Sequence, residues 1–83
     1  MEPNEEMREH LFDAIRNQLK SNNPPETKET FNRLLNEGYD EFQVMQFIGQ
    51  CLAVELYEVI KSQKPFVVER YVKNLKALPE EPF

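Results

Sequence analysis

The 83-residue sequence predicts an all-α protein, a single-domain bundle of about four helices spanning residues 1–83. Three observations predict it. Apolar residues recur at intervals of three and four along most of the chain, which places them on one side of an α-helix. Asn, Pro and Gly gather at the breaks between these periodic stretches, where they stop one helix and start the next. No stretch alternates apolar and polar residues as a half-buried strand does, and there is no internal repeat or glycine-rich loop.

The first helix is expected over residues 5–20, with Met7, Leu11, Phe12, Ile15 and Leu19 along its inner face. Asn4 is a suitable N-cap, and Glu5 and Glu6 suit the positive end of the helix dipole. The turn formers Asn22 and Asn23 and the prolines Pro24 and Pro25 end it. The second helix is expected over residues 25–37. Asn23 as N-cap, Pro24 at the first helical position and Glu26 three residues after the cap resemble a capping box. Thr27, Phe31, Leu34 and Leu35 form its inner face, and Gly38 closes it in the left-handed conformation.

Asp40 with Gln43 repeats the capping signal and starts the third and longest helix, over residues 41–63. Its broad apolar arc comprises Val44, Met45, Ile48, Cys51, Leu52, Leu56, Val59 and Ile60, which predicts the centre of the bundle. Phe47, Val54 and Tyr57 lie on the flanks or far side of that arc, so the helix either touches neighbours on several sides or offers apolar surface to a partner. Gly49 lowers helix stability by about 1 kcal/mol relative to alanine, and close helix packing is the usual compensation. Pro65 breaks this helix and opens a fourth, over residues 66–78, with Val68, Tyr71, Val72, Leu75 and Leu78 inward. Pro79 ends it, leaving residues 79–83 as a tail expected to be mobile, Phe83 included.

Ten basic and fifteen acidic residues give a net charge of −5, and the basic residues are scattered rather than clustered. Phosphate backbones and anionic lipid surfaces are repelled by such a chain, so neither a nucleic acid nor a membrane is the expected partner. No basic-plus-apolar leader is visible, and the single cysteine fits a reducing compartment, so a cytoplasmic location is expected.

Chemistry-bearing residues are scarce. Cys51 falls among core positions and is expected to be an inert thiol, while His10, the only histidine, lies off the apolar face of the first helix. The carboxylates Glu6, Glu9 and Asp13 fall on a solvated face. Glu55 differs, because it projects into the apolar arc between Leu52 and Val59 and needs a partner there, with Arg33, Arg70 and Tyr71 as candidates. No catalytic residue, cofactor or metal site is assigned, and no enzyme activity is expected.

The spelling Asn23-Pro24-Pro25-Glu26, Arg33-Leu34-Leu35, Gly38-Tyr39-Asp40, Leu56-Tyr57, Pro65-Phe66 and Arg70-Tyr71 covers nearly the whole chain. It resembles a family of small prokaryotic all-helical proteins defined only as a domain of unknown function. That family's motif continues from the tyrosine and aspartate into a His-Glu-x-x-His stretch, and its first helix carries two histidines four residues apart. Carried onto this sequence, the first stretch falls on Phe42, Gln43, Val44, Met45 and Gln46, and the second pair on Arg8 and Phe12. All four histidines are absent here. Phenylalanine cannot ligate a metal and arginine repels a cation, so the resemblance implies the fold without the metal site.

The expectation is a non-enzymatic protein-interaction module that binds a protein partner or itself. Its surface would centre on Phe47, Val54 and Tyr57, with Glu55 as a buried polar group. The alternative is a metal-binding or metal-sensing helical protein with a rebuilt or degenerate site, drawing on Glu55, His10 or other carboxylates.

Overall fold

The computed structural model describes residues 5–80, and these form four helices joined by short connections. They are α1 (Glu5–Ser21), α2 (Pro25–Asn36), α3 (Glu41–Ser62) and α4 (Val68–Ala77). Among the described residues there is no strand. The expected cap at Asn4, the far end of the tail and Phe83 lie outside the described residues.

The ends of the helices follow from local chemistry. Asn22 takes the left-handed conformation at φ 54°, and the Asn23 amide bonds back to the Gln18 carbonyl at 3.1 Å, closing α1. This use of Asn23 corrects its expected role as cap of α2. The residue at that position is Pro24, extended at φ −75° and ψ 150°, with Pro25 as the first helical residue and no side-chain cap. At the other end, Gly38 at φ 105° lets its own amide reach Leu35 and the Tyr39 amide reach Leu34, the paired closure that favours glycine. Asp40 and Gln43 then cap α3 reciprocally. The Gln43 amide donates to Asp40 Oδ1 at 2.8 Å, and the Asp40 amide donates to Gln43 Oε1 at 3.0 Å.

The fourth helix begins two residues later than expected, at Val68 rather than Phe66. Nothing between Lys64 and Val67 is a strong capping residue, and Phe66 is drawn onto the Tyr71 ring, edge to face at 5.6 Å.

Within the bundle, α2 and α3 pack on each other, and each also packs on α1 and α4. No close backbone approach joins α1 to α4, so they flank the central pair. Ile15, Leu34, Val44, Ile48, Cys51, Tyr71 and Leu75 have no exposed surface and fill the space between. At its C-terminal end the apolar arc assigned to α3 is too wide: Leu56 is 41 % exposed, Ile60 is 78 % exposed and Val59 is half-buried. With 22 residues α3 is about 33 Å long, whereas α2 has 12 residues and α4 only 10, so its last turns outrun the helices that would cover them.

Candidate functional site

Two polar clusters sit inside the bundle, and both are built to hold it together. The first is the ion pair of α3 and α4. Glu55 has no exposed surface, and its two oxygens accept from Arg70, Oε2 from Nε at 2.6 Å and Oε1 from Nη2 at 3.0 Å. Of the three partners considered for Glu55, Arg70 is the one it has. The carboxylate raises the pKa of the Arg70 guanidinium above its ordinary value. Arg70 reaches this site from a half-buried position on α4, so its outer edge stays in water while its fork is matched by the carboxylate.

The second cluster joins three helices. Gln18 Oε1 on α1 accepts from the Thr27 hydroxyl on α2 and from the Tyr71 hydroxyl on α4, each at 2.8 Å. Thr27 and Tyr71 are fully buried, and burial pushes the Tyr71 phenol up to about 12. Arg33 adds a third tie by donating to the carbonyls of Leu75 and Leu78 at the end of α4, the first of which also accepts from the Leu78 amide.

Neither cluster is arranged for chemistry. Both Glu55 oxygens are taken by Arg70, and Cys51 is buried with its thiol pushed up to about 12. His10 is exposed on α1, away from both. Among the described residues no group of three or more His, Cys, Asp or Glu side chains converges as metal ligands would.

What the molecule does present is the outer face of α3. From Phe42 to Val54 the sequence contains no charged residue, in a chain that is 30 % charged. The inward half of this run fills the core, and the outward half leaves Gln43, Gln46 and Gln50 exposed and Ala53 half-buried. Tyr57, 62 % exposed, continues the same line one turn further on. These positions step by three and four residues and so form one stripe along the helix. Of the residues expected at a surface, Tyr57 is on this stripe, while Phe47 and Val54 are half-buried along its flank. Phe47 lies edge to face on Tyr39 at 5.1 Å. The glutamines and Ala53 were missed by reasoning from apolar residues. The signal that finds them is the missing charge.

The stripe itself lines one side of an open groove of about 570 Å³ between α1 and α3. Arg8, Leu11 and Phe12 line it from α1, and Phe47, Gly49 and the stripe residues from Gln43 to Ala53 line it from α3. The Arg8 guanidinium stacks over Phe42 at 5.5 Å, and its Nε is buried without a hydrogen-bond partner. Gly49 does not mark a tight helix contact. A methyl group there would meet Ile15 and Phe12 at 3.9 Å, ordinary van der Waals distance. Among the described residues no helix is long and apolar enough to cross a membrane. No protein-family model, no curated protein and no solved structure matches this chain.

Proposed function

We propose that the chain is a non-enzymatic protein-interaction module whose docking surface is the outer face of α3. The observation that carries this reading is the charge-free run from Phe42 to Val54, half of which faces outward. Solvent-exposed helix faces ordinarily carry Lys and Glu. Depletion of charge with retention of aromatic residues is the compositional signature of interface centres. Tyr57 supplies a large ring with a polar tip, and the neighbouring groove supplies a hollow with an unpaired donor at Arg8. A cytoplasmic setting belongs to the same proposal, motivated by the lone cysteine and the acidic balance. So does kinship with the histidine-bearing helical family, on the motif spelling alone.

The test is a photo-crosslinking side chain placed at Tyr57 and, as control, at the exposed Lys28 of α2, in the full chain inside cells. Adducts form from position 57 and not from 28, and Gln50→Lys removes them while leaving the helical circular dichroism unchanged. Equal adducts from both positions, or none from 57, would overturn the proposal.

A further inference from the structure

We propose that the occupant of this surface is a second copy of the same chain, its α3 packed antiparallel on the first about a two-fold axis passing between Gln50 and Ala53. The inference rests on the docking reading above and adds the partner's identity.

A two-fold contact sets one patch against itself, so the patch must be complementary to its own copy. A charge beside the axis would face its own copy, whereas a glutamine amide there carries both donors and an acceptor and can pair with another glutamine. The stripe on α3 has this chemistry. Its steps, Gln43, Gln46, Gln50, Ala53, Tyr57 and Ile60, alternate three and four residues, the spacing of a helix seam that packs on another helix. It runs for about 26 Å along the axis.

The direction follows from the charges at its two ends. Asp40 and Glu41 stand at the start of α3, and Lys61 and Lys64 at its end, while Glu58 lies close enough to Arg70 to act on its charge. Parallel copies would bring acid to acid and base to base. Antiparallel copies bring each acidic end to a basic one and oppose the two helix dipoles. In the symmetric register Gln50 faces the second copy's Ala53, and Gln46 faces its Tyr57. The exposed ring of each copy therefore arrives at the rim of the other's groove between α1 and α3, and both rings are used in one closed contact instead of an open chain of copies.

The untagged full chain is examined by sedimentation velocity from roughly 1 µM to 1 mM, together with single-cysteine variants treated with a short bis-maleimide. Native Cys51 is fully buried and stays silent. The expected result is a mass that doubles with concentration, self-crosslinking by Gln50→Cys, none by Ile60→Cys, and crosslinking when Gln43→Cys and Ile60→Cys are mixed. Self-crosslinking at position 60 would mean parallel helices and overturn the arrangement. A monomer at every concentration would overturn the second copy as partner. If adducts to another protein still formed from position 57, the docking surface would survive that failure, and if none formed both proposals would fall together.

Discussion

Glu55 and Arg70 are unequal members of their pair, because one has no contact with water and the other keeps a wet edge. Removing Arg70 strands a carboxylate in the core, whereas neutralising Glu55 leaves a guanidinium that can turn outward. Arg70→Met is therefore expected to lower the melting temperature more than Glu55→Gln does, and thermal melts of the two variants at neutral pH check the order. An equal effect would mean that Arg70 is held by something besides this carboxylate. The need of Glu55 for a partner was legible in the sequence from its place in an apolar arc. Which of three candidates answered was not, since that depended on where α4 begins and how it lies on α3. The same holds for Gln18, whose role needs Thr27 and Tyr71 to converge from other helices.

Helix starts were readable where a side chain makes them and misread where proline does. The reciprocal bonds of Asp40 and Gln43 are local, so two residues suffice to announce them. Asp40→Ala should cost about 1 kcal/mol in chemical denaturation. The run Asn22-Asn23-Pro24-Pro25 was ambiguous because an asparagine can close one helix or open the next, and here Asn23 closes α1 through its backbone. Gly49 reads as a contact point from the sequence, and it is buried against Phe12 and Ile15 of α1, but the approach is not so close that only glycine fits. Since the added methyl meets only ordinary contacts and the position is helical, Gly49→Ala should raise stability by about 0.5–1 kcal/mol. An unchanged or lower melting temperature would show that α1 sits closer to α3 than 3.9 Å contacts allow. The exposed end of α3 escaped sequence reading altogether, because periodicity marks a face as apolar without saying whether a partner helix is long enough to cover it.

At the scale of the molecule, the four-helix fold follows from periodicity and punctuation, and the proposed interaction surface from a charge distribution that only acquires meaning once inward and outward positions are separated. Two buried acids, both neutral when folded, set a property of the whole chain. Cys51 ordinarily ionises at 9.0 and Tyr71 at 10.0, and in the fold both are pushed up to about 12. Between those values the unfolded chain has released protons that the folded chain retains, so stability falls as pH rises above about 9. Melting temperatures followed from about pH 8 to pH 11 should decline, with the slope reduced in Cys51→Ala and Tyr71→Phe. A flat profile would show that neither group is held neutral by the fold. The junction at Gln18 has a consequence of another kind. Since no close backbone approach joins α1 to α4, the hydrogen bond from Tyr71 to Gln18 is a direct link between the two flanking helices. Sub-global opening that swings either helix outward must break that link, so amide exchange in α1 and α4 should proceed as one cooperative unit, and Gln18→Leu should split it into two that exchange at separate rates.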